Sequence, residues 1–449
     1  MRARARLRFA LAAAALASGG CHGDAFLLHA EGTCVVTAKG DAGPDTIAWT
    51  RELGLSGHPQ ATAVGALGEI AVAGAIEGGE CFVAALESSG LSRWTRRWPG
   101  RCSFSALAFG SDGRLVTMGI LRDTLTIDHT TVRANGDADV LVTSWSPGGA
   151  LQWAQALGGR GDDVPGAVAV EDSGDVHAAL QIADRAVIGD VPRDGMVVAT
   201  LAGLDGAVRS SLSLGLARPV AIALDASERG APSTVVAGLY EEVVHVGFDA
   251  AQQEIILRKP GAHVSGKVLF LARIAGGRTP NLTWARNVAR AWLGADWYSI
   301  ATSLAVDRTG ALAVMANELA YDDRPNGRTA TVTKLDRLGN PLWSRCFALD
   351  PGGMESSNAI TFADDGTVWA AGNTQRGWSY RERGGPFFLV HYGASGQVLS
   401  SSVHQRGDKM AAGSVAVDKL GRALAATMRF HGKSDEQPPD DVVVTALGR

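Results

Sequence analysis

The feature that most constrains the fold of this chain is a recurring signature, a glycine followed four residues later by a tryptophan. The clearest copies are Gly90–Trp94, Gly149–Trp153 and Gly339–Trp343. Weaker copies have lost either the tryptophan or the glycine: Gly206–Ser210, Gly396–Ser400, Asp45–Trp49 and Pro280–Trp284. Repetition at long intervals indicates one structural unit used several times.

A second signature, a run of small apolar residues followed by a polar turn with glycine, accompanies the first. Apolar alternation predicts half-buried strands, and glycine with aspartate predicts tight turns between them. The second signature begins near seven positions: Ala61, Ser105, Gly166, Val220, Thr302, Asn358 and Gly413. Each unit is therefore two hairpins. We predict an all-β, seven-bladed β-propeller of four-stranded antiparallel blades, in which neighbouring blades bury each other's faces.

The two ends of the chain complement each other. The last segment, Val442–Leu447, reads as a third strand with no fourth strand after it, and Thr46–Leu53 reads as a fourth strand with no blade before it. We expect the N-terminal strand to complete the C-terminal blade, because an unpaired apolar edge would promote aggregation.

Four segments resemble the SBBP-type β-propeller repeats of bacterial envelope and secreted proteins, and more distantly the NHL-type propellers: Trp153–Gly159, Gly161–Asp163, Ala167–Val170 and Asp139–Thr143. The resemblance covers the chain from about Cys34 to its C-terminus. It implies a propeller and an exported protein, and it brings no shared catalytic motif.

The N-terminus has the pattern of a bacterial targeting segment. Alternating arginines from Arg2 to Arg8 precede a short apolar stretch, Phe9–Ala17. Two cleavage sites compete: Ala15–Ala17 suits ordinary secretion, and Ser18–Cys21 resembles a lipobox, although a leucine three residues before the cysteine is missing.

These observations divide the chain into three parts. Residues 1–20 are a signal peptide of lipoprotein type, residues 21–45 are a tether with an extra strand, and residues 46–449 are the propeller. We expect an exported protein. If Cys21 is lipidated, the protein is a lipoprotein anchored at the outer membrane or in the periplasm; if it is not, the protein is secreted.

The chain contains five cysteines. Lipidation of Cys21 would leave an even number, as expected in an oxidising compartment. Cys81 begins a third strand and Cys102 follows the antiparallel fourth strand, so we predict a Cys81–Cys102 disulfide. Cys34 and Cys346 fall in different blades of this register. No bond between them is predicted, and their pairing stays open.

Alternation of the turns places all the variable loops on one face of the disc, where binding sites commonly evolve on rigid scaffolds. The loops of blades five to seven are rich in aromatic residues and arginine, which are typical of binding hot spots. Alternatively, these aromatic residues have only a structural role and pack the loops against the propeller. The candidate ligand-binding residues are Trp292, Trp297, Tyr298, Tyr321, Asp322, Asp323, Arg324, Trp378, Tyr380, Arg381, Arg383, His404 and Arg406.

The remaining motifs favour structural roles. The regular spacing of the tryptophans indicates packing between blades. The Asp162–Asp163 pair and the Asn135–Asp139 segment could offer oxygen ligands to Ca²⁺, but turn formation explains them more simply. The histidines have no zinc-site spacing and there is no Gly-x-Ser-x-Gly motif, so no metal, cofactor or catalytic residue is predicted. A net charge of −4 argues against nucleic acid as a partner.

The sequence thus favours a non-catalytic, exported propeller that acts as a ligand- or protein-binding scaffold at the bacterial cell envelope. We expect a monomer with an unidentified protein, peptide or glycan as its partner, which touches a membrane only through an N-terminal lipid. The alternative is a carbohydrate-active enzyme, a hydrolase or lyase with its site at the central channel mouth. That alternative requires two carboxylates roughly 5–9 Å apart. The ligand, the oligomeric state and any catalytic activity stay open.

The lipobox interpretation predicts that Cys21→Ala abolishes membrane fractionation in a Gram-negative host, because the acyl chains are attached through that thiol. The measurement is the distribution of the protein between membrane and soluble fractions. Cys34→Ala, which also removes a cysteine near the N-terminus, is the matched control and should stay with the membrane. Unchanged partitioning of Cys21→Ala would favour cleavage after Ala17.

Overall fold

The computed structural model describes residues 35–36, 47–76, 78–228, 230–259, 267–291, 302–319, 328–348, 353–376, 384–404, 410–429 and 441–447. These residues form β-strands and no helix, so the described part offers no apolar helix of membrane-spanning length. Two strands precede the first blade: β1 (Val35–Val36) and β2 (Ile47–Glu52).

The first three blades follow each other directly along the chain. Blade one contains β3 (Gly57–Val64), β4 (Ile70–Ile76), β5 (Cys81–Leu86) and β6 (Ser92–Trp98). Blade two contains β7 (Arg101–Phe109), β8 (Leu115–Arg122), an added hairpin of β9 (Thr124–Ile127) and β10 (Thr130–Arg133), then β11 (Asp139–Trp145) and β12 (Leu151–Leu157). Blade three contains β13 (Val164–Val170), β14 (Val176–Ile188), β15 (Val191–Leu201) and β16 (Val208–Ser213).

The next four blades repeat the same order of strands. Blade four contains β17 (Arg218–Asp225), β18 (Ser233–Tyr240), an added hairpin of β19 (Val243–Phe248) and β20 (Glu254–Arg258), then β21 (Lys267–Ala275) and β22 (Asn281–Ala291). Blade five contains β23 (Thr302–Val306), β24 (Leu312–Leu319), β25 (Arg328–Leu335) and β26 (Pro341–Ala348). Blade six contains β27 (Gly353–Phe362), β28 (Val368–Arg376), β29 (Gly384–Tyr392) and β30 (Val398–His404). Blade seven contains β31 (Met410–Val417), β32 (Ala423–Arg429), β33 (Asp441–Leu447) and, from the N-terminus, β2.

The first strands of successive blades contact one another all the way round, so the seven blades close into a ring. The closing strand is β2, which pairs antiparallel with β33: Trp49 lies opposite Ala446, and Glu52 lies opposite Val443. This confirms the predicted seven-bladed propeller and its closure by the N-terminal strand.

The core lies in the seams between blades. In the described residues, seven separate hydrophobic clusters occur, and each draws its side chains from two neighbouring blades. Strands in the middle of a blade are apolar on both faces because both faces meet a neighbouring blade; every residue of β5, β11 and β18 is buried. The predicted stacking of blades therefore accounts for the burial pattern.

Five of the seams contain the same contact, in which a tryptophan on the fourth strand of one blade lies against a turn glycine of the next blade. The pairs are Trp49–Gly90, Trp94–Gly149, Trp153–Gly206, Trp284–Gly339 and Trp343–Gly396. At Gly149 the backbone φ is +80°, and a Cβ atom would lie 2.6 Å from the Trp94 ring. Glycine is thus required both for the turn and for the close approach of the indole.

The indole N–H completes the contact in four of these seams by donating to a carbonyl of the same turn. The Nε1-to-oxygen distances are 3.1 Å for Trp49 and Ser88, 3.1 Å for Trp94 and Pro147, 3.0 Å for Trp153 and Gly203, and 2.9 Å for Trp343 and Ala394. The regular tryptophans therefore join adjacent blades, as their spacing predicts.

The extra N-terminal strand lies on the outer edge of blade five. Val35 and Val36 pair in parallel with Phe347 and Ala348 of β26. The segment thus adds an edge strand to a blade, next to the four strands of the repeat. Cys34 lies outside the described residues.

A disulfide joins Cys81 and Cys102, with their Cα atoms 5.3 Å apart. Cys81 is the first residue of β5 in blade one, and Cys102 is the second residue of β7 in blade two. The bond expected from the sequence therefore crosses the seam between blades one and two.

Deletion of the chain through Leu53 should lower the melting temperature markedly, because it exposes the edge of β33. The deletion also removes the hydrogen bond from the Leu53 N–H to the Val442 carbonyl, 3.0 Å long. Deletion only through Ala30 is the control and should leave the melting temperature unchanged. Equal melting of the two truncated proteins would contradict the closure.

The indoles should differ in their contribution to stability according to burial. Trp153 is 6 % exposed, and Trp153→Ala should cost about 3–5 kcal/mol of unfolding free energy. Trp49 is only half-buried, so Trp49→Ala should cost less unfolding free energy than Trp153→Ala. Denaturant titration of both variants measures the difference. A larger loss for Trp49→Ala would refute this ranking.

Candidate functional site

The two faces of the disc carry different connections. The turns that join the first strand to the second and the third to the fourth lie on one face, here called the turn face. The described connections between second and third strands, including the hairpins β9–β10 and β19–β20, lie on the opposite face together with the described links between blades. We call this the loop face.

The sequence predicts thirteen ligand-binding residues in blades five to seven. Twelve of the thirteen lie outside the described residues. The backbone of His404 is described as the last residue of β30, opposite Phe387. Whether the aromatic residues and arginines of blades five to seven form a site stays a prediction.

The seam between blades three and four departs from the repeat on the turn face. In blade three, Ser210 lies opposite Thr200, next to a bulge. In blade two, Trp153 occupies the equivalent register position, opposite Ser144. Pro280 of blade four takes the place of the turn glycine. Both partners of the indole–glycine contact are therefore absent from this seam.

An open cleft of about 190 Å³ occupies this position. Its apolar floor includes Val198, Leu212 and Ile274, of which Val198 is 5 % and Ile274 2 % exposed. Ser210 and Pro280 also line the cleft. The loss of one large side chain from a repeated packing position thus leaves a cavity that opens to the surface.

A chain of hydrogen bonds runs along the polar side of the cleft. His177 Nε2 lies 2.6 Å from Glu171 Oε1, and His177 Nδ1 lies 2.8 Å from Thr234 Oγ1. An ionised carboxylate can only accept, so His177 Nε2 donates to Glu171, while Nδ1 shares a hydrogen bond with the Thr234 hydroxyl. Thr234 belongs to blade four, so this chain connects the two blades directly.

The second charged pair of the cleft is Asp175 with Arg209. The Arg209 guanidinium binds Asp175 Oδ2, while Asp175 Oδ1 accepts the Gly203 N–H at 3.1 Å. The Arg209 side chain is 56 % exposed and the Asp175 side chain 12 % exposed. The aspartate is held by the protein, whereas one side of the guanidinium remains accessible to a ligand.

The electrostatics of the cleft keep Glu171 ionised. The hydrogen bond from His177 lowers the pKa of Glu171; burial opposes this shift, and the Ser173 hydrogen bond and nearby positive charge support it. Together with the Asp175–Arg209 pair, this makes a cleft with an apolar floor and charged groups that already have partners. Such a cleft suits binding of a ligand with an apolar body and a polar edge.

The aspartates considered as Ca²⁺ ligands lie elsewhere, between blades two and three. The buried Asp139 carboxylate accepts the Asn135 N–H at 3.0 Å, and the buried Asp163 carboxylate accepts the Gly159 and Ala183 N–H groups at 2.7 and 2.8 Å. Burial, and to a smaller extent the Asp139 charge, raises the pKa of Asp163. These carboxylates cap loop backbone, and within the described ranges no three metal-binding side chains come together.

Comparisons with known proteins identify no family for this chain. No family model matches the chain, and no curated protein matches it. Similar solved structures include a protein of unknown function from Dyadobacter fermentans (TM-score 0.42, 11 % identity, covering 76 % of this chain and 93 % of that chain). They also include a fungal AA5-family alcohol oxidase in complex with copper (TM-score 0.46, 10 % identity, covering 90 % of this chain and 77 % of that chain). A PL25 ulvan lyase is similar to the same degree (TM-score 0.46, 10 % identity, covering 87 % of this chain and 92 % of that chain). At these values the similarity carries no argument about family or activity.

The Glu171–His177 pair should make stability depend on pH in the acid range. Because the pKa of Glu171 is lowered in the folded state, its contribution is complete above the ordinary glutamate pKa of 4.5. It is lost as the pH falls through the folded-state pKa. The melting-temperature difference between wild type and Glu171→Gln should therefore shrink below about pH 4.5. A difference that stays constant down to pH 3 would contradict the pairing.

Proposed function

We propose that this chain is a non-catalytic, exported β-propeller of the SBBP type, which binds its ligand as a scaffold module at the bacterial cell envelope. The observation that carries the proposal is the cleft at Ser210. Five seams of the ring hold a tryptophan against the next blade, whereas this one opens into a lined cavity on the turn face. A rigid ring with an open cleft of this kind is suited to binding.

Export is supported by the covalent structure. The Cys81–Cys102 disulfide joins two blades, and structural disulfides persist in oxidising compartments. The targeting pattern of residues 1–20 agrees with this. The protein is proposed to be a lipoprotein anchored to the membrane through Cys21, or a secreted protein if Cys21 is not lipidated.

A binding role is favoured over catalysis by the state of the polar groups. Glu171 is paired with His177, and Asp175 is paired with Arg209 and a backbone N–H. General acid–base hydrolysis needs one protonated and one free carboxylate across the bond that breaks. Neither carboxylate of the cleft is available in that way. The alternative remains a carbohydrate-active enzyme whose site lies at the channel mouth.

A variant pair at equivalent register positions tests the proposal. Ser210→Trp should fill the cleft and abolish binding of any peptide or glycan captured on arrays by the purified mature protein. Ser400→Trp restores a tryptophan at the same position of blade six, where it lies opposite His391, and should leave binding unchanged.

Two results would count against the proposal. If Ser210→Trp still binds the same array ligands as the wild type, the binding site lies elsewhere, with the loop face as the next place to search. If the wild type releases shorter products from a glycan that it binds, the enzymatic alternative is favoured.

A further inference from the structure

We infer that the cleft between blades three and four binds a planar aromatic ring that carries a hydrogen-bond donor, an indole or a phenol. This inference rests on the proposed binding function and specifies its ligand. The ring could belong to an aromatic side chain of a partner polypeptide or to a small free molecule, and the experiment below separates these sources.

The first argument is the size and origin of the cleft. At the same register position, five other seams hold an indole that joins two blades. Ser210 keeps the strand register of that position while the ring is missing. A volume of about 190 Å³ is adequate for one bicyclic ring, since an apolar protein cavity of roughly 150 Å³ binds benzene.

The second argument is the shape of the apolar surface. Val198, Leu212 and Ile274 form the floor, and Pro280 replaces the glycine against which the indoles pack elsewhere. Aliphatic side chains and a proline ring are suitable contacts for a flat aromatic ring.

The third argument is the polarity of the edge. In four other seams the indole N–H donates to a carbonyl of the neighbouring turn at 2.9–3.1 Å. The carboxylates of Glu171 and Asp175 line the cleft and, although each is already paired, their oxygens keep lone pairs that can accept a further hydrogen bond, so a donor on the ring is favoured over an anion. The accessible Arg209 guanidinium can lie over the face of the ring as a cation–π partner.

The experiment uses the full mature protein and three probes: indole, N-acetyl-L-tryptophanamide and a tryptophan-containing pentapeptide. N-acetyl-L-leucinamide is the non-aromatic control. Methyl-labelled protein followed by NMR should show shifts at Val198, Leu212 and Ile274 with the aromatic probes only. This readout needs no variant and so does not depend on the folding of one.

Titration calorimetry then compares the wild type with Ser210→Trp and the matched control Ser400→Trp. Binding of N-acetyl-L-tryptophanamide should weaken at least about tenfold in Ser210→Trp and stay within about twofold in Ser400→Trp. Tighter binding of the pentapeptide than of free indole assigns the ring to a polypeptide partner. The reverse order assigns it to a small molecule.

The inference is overturned if the floor methyls do not shift with any aromatic probe, or if the leucine amide shifts them equally. The proposed function can survive that result: array ligands that lack aromatic rings and lose binding in Ser210→Trp would keep the cleft as a binding site with another ligand class. If array binding is unchanged in Ser210→Trp, the cleft function itself is wrong.

Discussion

The ring depends on the contact between an indole of one blade and the turn of the next. A four-stranded blade has two apolar faces and cannot bury them alone, so its stability comes from its neighbours. The contact between Trp94 and Gly149 shows how a seam is fixed. The turn needs a positive φ, the indole needs a surface without a Cβ, and the Pro147 carbonyl of the same turn accepts the indole N–H. One pair of residues thus sets the distance and the orientation between two blades.

Seams without this contact are stabilised by other means. Between blades three and four, the Glu171–His177–Thr234 chain crosses the seam above the hydrophobic cluster that contains Val236 and Phe270. Polar side chains buried in this way hold the geometry because an unpaired partner would be costly. Loss of a tryptophan is therefore tolerated here without opening the ring, and the space at Ser210 remains.

The repeat made the fold predictable, since local strand and turn signals and the complementary chain ends all indicated one architecture. The position of the extra strand on blade five was not predictable, because a pairing of two residues, Val35 and Val36, has no pattern of its own. Clusters of aromatic residues with arginines, which predicted the loop-face site, do not mark the cleft. The signal was the absence of an aromatic residue, Ser210 and Pro280 standing where the repeat has tryptophan and glycine. The depth and the lining of the cleft follow from contacts between blades, and the spacing of residues along the chain does not predict those contacts.

Binding at this cleft and stability of the seam are coupled by the same contact. A ring seated at Ser210 would touch blade three through Val198 and blade four through Ile274, as an indole does in the other seams. Any ligand that binds only the folded chain stabilises it in proportion to the logarithm of its concentration above its dissociation constant. Here the added free energy would act at the seam between blades three and four, where Ser210 stands in place of an internal indole and an open cleft lies beside it. The exchange of a tryptophan for a serine would then have converted part of the internal packing of the ring into affinity for a partner.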